Sequence, residues 1–196
     1  GDGVIARLLT VSADPYMRYR IRSDGDYKPG EPMLGLVAGK IIESNMSGWK
    51  AGDLFGAELP YTDIQAVPAW KVKSFRRLTG LISEDQISLG IGALGMPGST
   101  AYGGLIDILK PTKGETLWVS GAAGAVGSMV GMMAKHVFGC KVVGSAGGPE
   151  KCKLVKEQFG FDHCVDYKVC ESAKDLAKAL RQAAPGGIDM YFENVG

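Results

Sequence analysis

One stretch, Thr116 to Lys141 (TLWVSGAAGAVGSMVGMMAKHVFGCK), limits the folds open to this chain more than any other. Thr116 to Ser120 is short, apolar and partly β-branched, as a parallel strand covered on both faces should be. Small residues follow at once. Ala122, Gly124 and Gly127 occupy the three positions of G-x-G-x-x-G, whose roles are the tight turn, the close approach of backbone to a pyrophosphate and the packing of helix on strand. Alanine stands at the first position. Beyond the turn, Val126, Met129, Val130, Met133 and Val137 recur at spacings of three and four, which predicts a helix that Gly139 can cap. The start of that helix, from Gly124 through Ala125 and Val126 to Gly127, turns unpaired N–H groups toward a phosphate.

Taken alone, A-x-G-x-x-G also describes an ordinary tight turn between strand and helix. Its surroundings favour the dinucleotide reading. A second strand, Lys141 to Ser145, starts where a βαβ unit needs it, and the alternation continues through helix 149–159, strand 164–166, helix 172–184 and strand 188–193. The fold class expected is α/β, the first part of a Rossmann-type doubly wound parallel sheet.

Residues 1 to about 85 lack that alternation. Strand-like segments cover 3–12, 34–44 and 54–57, and 66–72 reads as a strand interrupted at Pro68 and therefore near an edge. Pro15 sets a turn at Asp14 to Arg18, and the breaker-rich run Ser47 to Asp53 sets another. These segments suggest a small, irregular β domain over 1–93, with the dinucleotide-binding part over 94–196. Between them Ser83 to Leu94 reads as a helix, with Ser83 and Gln86 as a capping box. Gly95 to Gly98 breaks it, and helical spacing resumes over 100–109.

Composition removes several function classes. Twenty-two basic against twenty-one acidic residues in 196 give a net charge of +1, so charge suggests neither nucleic acid nor an anionic membrane as partner. No run of eighteen apolar residues and no signal-peptide pattern is present, so a cytoplasmic location is the default expectation. The four cysteines, Cys140, Cys152, Cys164 and Cys170, form no C-x-x-C pair and read as buried thiols. His136 and His163 lie far apart in sequence, so no metal site is expected.

A dinucleotide fold selects NAD with a carboxylate about 20 residues past the glycine turn. Here that position falls in Gly144-Ser145-Ala146-Gly147-Gly148, which holds no acid. A ribose 2′-phosphate would meet no repulsion, and Ser145 and Lys151 could hold it. Lys151 reads equally as a solvated lysine on the first turn of its helix.

Several motifs in order now carry a resemblance: Asp14-Pro15-Tyr16-Met17-Arg18, Leu94 to Tyr102 (LGMPGSTAY), Gly121 to Ser128 (GAAGAVGS) and Tyr191 to Gly196 (YFENVG). Together they resemble the zinc-independent medium-chain dehydrogenase/reductases, in the branch of the prostaglandin reductases and alkenal double-bond reductases. Glu193 departs from the branch, which usually has Asp there. The resemblance implies a GroES-like catalytic domain in the first part, and NADPH as cofactor. It places phosphate contacts on Lys151 and Tyr167, a nicotinamide-side contact on Asn194, and Met96 and Thr100 beside the nicotinamide. Tyr16 is implied to line the substrate pocket or donate a hydrogen bond, although a packed turn tyrosine is the plain alternative.

The reaction implied is reduction of the C=C bond of an α,β-unsaturated ketone or aldehyde, with an enone or enal as the small-molecule substrate. A quinone reductase of the same fold and a non-catalytic NADPH-binding protein are the alternatives. Family members continue for well over a hundred residues more, so this reads as part of a longer, commonly homodimeric enzyme whose main catalytic tyrosine lies outside the sequence. Zinc members carry cysteine and histidine ligands in the first domain, whereas no Cys or His precedes His136 here.

Overall fold

Alternating apolar residues close the first part of the chain into an antiparallel sheet. A computed structural model describes residues 2–22 and 24–195, so Gly196, the last residue of the closing motif, lies outside them. The chain divides into two compact units, Gly1–Gly95 and Met96–Gly196. In the first, the elements are β1 (Gly3–Val11), α1 (Met17–Arg20), β2 (Leu34–Ser44), β3 (Leu54–Pro60), β4 (Ile64–Pro68), α2 (Ala69–Val72) and β5 (Arg76–Arg77). The sheet order is β4-β1-β2-β3-β5. Val4, Ala6, Val37, Ile41, Phe55 and Val67 fill its core, where Phe55 stacks on Phe75 with centroids 4.4 Å apart. Each of the valine, isoleucine and phenylalanine side chains contributes roughly 1.5–3 kcal/mol by leaving water.

The turn before β3 is tied down by a buried carboxylate. Asp53, 2% exposed, accepts hydrogen bonds from the Lys50 N–H (3.0 Å), Arg77 Nη1 (2.8 Å) and Thr79 Oγ1 (3.3 Å). The Arg77 guanidinium also lies over the Trp49 ring, 4.1 Å from its centroid.

The second unit contains α3 (Met96–Tyr102), a π-helical turn over Gly103–Leu109, β6 (Thr116–Val119), α4 (Ala125–His136), β7 (Lys141–Ala146), α5 (Pro149–Glu157), β8 (His163–Asp166), α6 (Ala173–Ala183) and β9 (Met190–Phe192). The strands pair in parallel in the order β8-β7-β6-β9. Strand alternation divides the apolar residues between the two faces. Leu117, Val119 and Val142 pack with α4 and α5, while Trp118, Val143 and Val165 pack with Leu176 and Leu180 of α6. The sheet is therefore wound on both sides.

Three expectations change. The segment 66–72 is not one strand: β4 ends at Pro68, and Ala69–Val72 turns helical. Proline lacks the N–H that the strand ladder needs, yet its fixed φ suits the start of a helix. Ser83–Leu94 is not an α-helix, because Glu84–Gly90 forms 3₁₀ turns, although Gln86 Oε1 does accept from the Ser83 N–H at 3.4 Å. Gly95 to Gly98 does not break the chain into a loop either. Helix α3 starts at Met96 and takes Pro97 into its first turn, where a missing N–H costs nothing.

Candidate functional site

In an open parallel sheet, ligands bind beyond the carboxyl ends of the strands where the strand order reverses. The chain passes from β6 outward to β7 and β8 and then returns to β9 on the other side of β6, so the reversal lies between β6 and β9. The glycine turn follows β6 directly. Gly121 adopts φ +55°, the left-handed region, and the N–H of Gly124 donates to its carbonyl at 2.8 Å. This explains the alanine at the first fingerprint position. The residue before it supplies the conformational freedom, while buried Ala122 donates its N–H to the Ser145 carbonyl (3.1 Å) and anchors the turn to β7.

The next two glycines meet different surroundings. A Cβ on Gly127 would lie 2.5 Å from the Gly121 oxygen and 3.0 Å from the Ala122 Cα, so no side chain fits where α4 presses on the turn. A Cβ on Gly124 would meet only the Gly121 oxygen, at 3.1 Å. Gly124 caps α4 without a side-chain hydrogen bond, which leaves the first-turn N–H groups at Ala125 and Val126 open to an anion.

Across the mouth of this turn the ends of β6 and β9 are laced together. Ser120 Oγ donates to Glu193 Oε1 (2.8 Å) and accepts from the Asn194 N–H (2.8 Å), while Asn194 Nδ2 donates to the Ser120 carbonyl (2.9 Å). Glu193 is thus a structural partner of Ser120. Asn194 is fixed in orientation beside Gly121, whose Cβ would touch its own at 3.4 Å.

A cleft of about 500 Å³ opens at this edge on the α6 face, lined among others by Trp118, Gly121, Ser145, Tyr167, Leu176, Tyr191 and Glu193. Trp118 stacks on Tyr191, with centroids 4.0 Å apart, and donates its indole N–H to Ser145 Oγ at 3.1 Å. Ser145, 5% exposed, is thereby held at the cleft wall.

The end of β7 runs into Gly147 and Gly148 with no carboxylate in the strand or turn. Lys151 is exposed in the first turn of α5. A Cβ on Gly147 would come within 2.8 Å of the Tyr167 hydroxyl and 3.0 Å of Lys168 Cε, so both side chains lie directly over this bare backbone. Asp166 Oδ1 accepts from the N–H groups of Gly148 (2.8 Å) and Lys168 (3.0 Å), joining the two segments. The residues fit a dinucleotide: glycines line the turn, helix N–H groups face it, and a lysine and a tyrosine border the loop one strand over.

Of the residues singled out in the sequence, Gly124, Ala125, Val126, Gly127, Ser145, Lys151, Tyr167 and Asn194 all lie at this one edge. Met96 and Thr100 share the exposed first turn of α3, where Thr100 Oγ1 donates to the Met96 carbonyl (2.9 Å). Tyr16 belongs to the first unit, half-buried at the start of α1. Burial, then Asp14, raises the Tyr16 phenol above its ordinary value, so it stays protonated as a donor. Sequence reasoning missed Gly121, Ser120 and Lys168. Only Gly121 left a signal there, as a glycine standing one place before the expected one.

Four free cysteines lie in the second unit, and burial raises the Cys140 and Cys164 thiols. Among the described residues, no three His, Cys, Asp or Glu side chains group as metal ligands, and no helix is long and apolar enough to cross a membrane.

Two family models match the chain, "N-terminal domain of oxidoreductase" over residues 1–74 and "Zinc-binding dehydrogenase" over 125–196. Tobacco (Nicotiana tabacum) 2-alkenal reductase (NADP(+)-dependent) is 41% identical over 100% of this chain and 56% of its own length. Mouse (Mus musculus) prostaglandin reductase 1 is 43% identical over 98% of this chain and 56% of its own. Among solved structures, CurA of Vibrio vulnificus in complex with NADPH superposes with a TM-score of 0.80 at 37% identity, covering 100% of this chain and 57% of that one. The chain thus spans a little over half the length of the relatives it matches.

Proposed function

Because this chain belongs to the zinc-independent medium-chain dehydrogenase/reductases, in the alkenal and prostaglandin reductase branch, we propose that the protein it forms is an NADPH-dependent reductase of the C=C bond of α,β-unsaturated ketones or aldehydes. The observation that carries this reading is the glycine turn at the reversal of the strand order, with no acidic residue in β7 or in the Gly147-Gly148 turn that follows it. NADPH, when bound, would supply the hydride that such a reduction needs.

The chain's own residues bind and orient. The first-turn N–H groups of α4 hold the pyrophosphate, and Gly124 leaves room for its approach. Lys151 and Tyr167 hold the 2′-phosphate, with Ser145 at the wall of the same cleft. Asn194, fixed by Ser120, presents its carboxamide on the nicotinamide side, where Met96 and Thr100 also contribute. Tyr16, kept protonated, lines the substrate pocket as a hydrogen-bond donor; a donor aimed at the carbonyl oxygen stabilises the charge that develops there as the enolate forms.

Cofactor titration and turnover on the full-length protein test the proposal. NADPH should bind at least about tenfold more tightly than NADH, since a charged phosphate contact contributes on the order of 1.5–3 kcal/mol. Lys151→Ala should narrow that preference and leave NADH binding nearly unchanged. NADPH oxidation should be faster with an enal such as nonenal or with a 15-oxo-prostaglandin than with a quinone. Outright preference for the quinone would overturn the substrate class, and equal loss of both cofactors in Lys151→Ala would return that lysine to the fold.

A further inference from the structure

The loop that follows β7 is bordered by two lysines. Lys151 rises from the first turn of α5, whose cap is Gly148. Lys168 comes from the turn after β8, and its Cε lies where a Cβ on Gly147 would be only 3.0 Å away. Its backbone is held there, because the same Asp166 oxygen that accepts from the Gly148 N–H at 2.8 Å accepts from the Lys168 N–H at 3.0 Å. Neither lysine is paired with a carboxylate among the described residues.

Charge gives the second lysine a purpose. The carboxylate that closes this loop brings a negative charge to its rim, and Glu150 adds another beside Lys151. A 2′-phosphate carries close to two negative charges at neutral pH. Lys151 alone would be outnumbered by Asp166 and Glu150, leaving a rim that repels such a dianion. Lys168 brings the two lysines level with the two carboxylates and gives the phosphate a second ammonium donor. The aliphatic stem of Lys168 and the hydroxyl end of Tyr167 lie beside Gly147 on that side of the loop.

We propose that Lys168 is the second cation of the 2′-phosphate pocket and a determinant of NADPH preference, an assignment that rests on the cofactor reading above. Dissociation constants for NADPH and NADH, from calorimetry on full-length wild type, Lys151→Ala, Lys168→Ala and Lys168→Arg, decide the matter. Lys168→Ala should weaken NADPH roughly three- to tenfold, as loss of one partly exposed charge contact would, and leave NADH within about twofold. Lys168→Arg should retain wild-type affinity, and the salt dependence of NADPH binding should flatten in Lys168→Ala. Unchanged NADPH affinity in Lys168→Ala, with Lys151→Ala weakened, would overturn this assignment and leave the cofactor reading standing. Wild-type NADPH affinity in both alanine variants would overturn the pocket itself. Equal weakening of both cofactors in Lys168→Ala, with a lowered melting temperature, would assign Lys168 to the fold.

Discussion

Two glycines three residues apart have different surroundings, and these predict different outcomes when each is substituted. A branched side chain at Gly127 would press on the Gly121 oxygen and the Ala122 Cα, backbone atoms that cannot swing aside. Gly127→Val should therefore lose roughly 1–3 kcal/mol or more of stability through overpacking. At Gly124 the nearest atom to an added Cβ is one carbonyl oxygen at 3.1 Å, so Gly124→Val should fold with little loss. Its side chain would occupy the approach of the pyrophosphate, and binding should vanish. Thermal melts with and without NADPH separate the two, since any binder of the native state raises the melting temperature. If Gly124→Val still gains stability on adding NADPH, the turn is not the pyrophosphate site. At this scale the sequence was informative where a residue's type and position in a motif determine its packing, as at Gly127. It was silent where the task depends on a partner distant in the chain. Ser120 meets Glu193 and Asn194 across 73 and 74 positions, and no spacing rule reaches so far.

Elements with a strong period and a clear stop, β2, β6, α4 and β7 among them, are placed by sequence reading within a residue or two. The misplaced ones depend on short-range conditions that periodicity does not carry. Pro68 caps α2 and Pro97 sits in the first turn of α3, positions where the ring fixes φ and no helical N–H bond is lost. Glu84–Gly90 has a helix's capping residues but winds as 3₁₀, a short form common in connectors. The run from Ser47 to Asp53 reads from its breakers only as a turn, and what fixes it is Asp53, which ties it to Lys50, Arg77 and Thr79. Burial alone would raise the Asp53 carboxyl, but the Arg77 guanidinium and the Lys50 N–H outweigh it and hold the group below the usual carboxylate range. A depressed carboxylate stabilises the fold above its unfolded value of about 3.9, and that contribution is lost as pH falls through the lower folded value. Asp53→Asn should then cost about 1–3 kcal/mol at pH 7, where a hydrogen-bonded charge is removed from a buried site. Denaturant melts from pH 7 down past pH 4 should show the gap between wild type and variant closing at the acid end. A gap that stays constant across that range would mean the charge contributes nothing.

The two units of the molecule divide the chemistry unequally. The second has the strand order and the glycine turn of a dinucleotide binder, legible in the sequence because alternating strands and helices leave few topologies. The first has its own core around Ile41 and Phe55 and carries Tyr16, but its irregular strands left only a coarse β reading in the sequence. What it lacks is more telling for mechanism. Zinc favours thiolate and imidazole ligands, and every cysteine and histidine of this chain lies at or beyond His136. Those six side chains are spread over α4, α5, β8 and their connections. Two of the four thiols are buried, and no group of three potential ligands forms among the described residues. The description "zinc-binding dehydrogenase" attached to the model matched over 125–196 thus carries a family name whose usual ligand types are missing from the first unit. Dialysis of the full-length protein against EDTA or 1,10-phenanthroline should leave NADPH oxidation with an enone intact, and elemental analysis should find less than one zinc per chain. Activity that falls on chelation and returns with added zinc would show that residues outside this sequence complete a metal site, and the charge stabilisation assigned here to hydrogen-bond donors such as Tyr16 would pass to the metal.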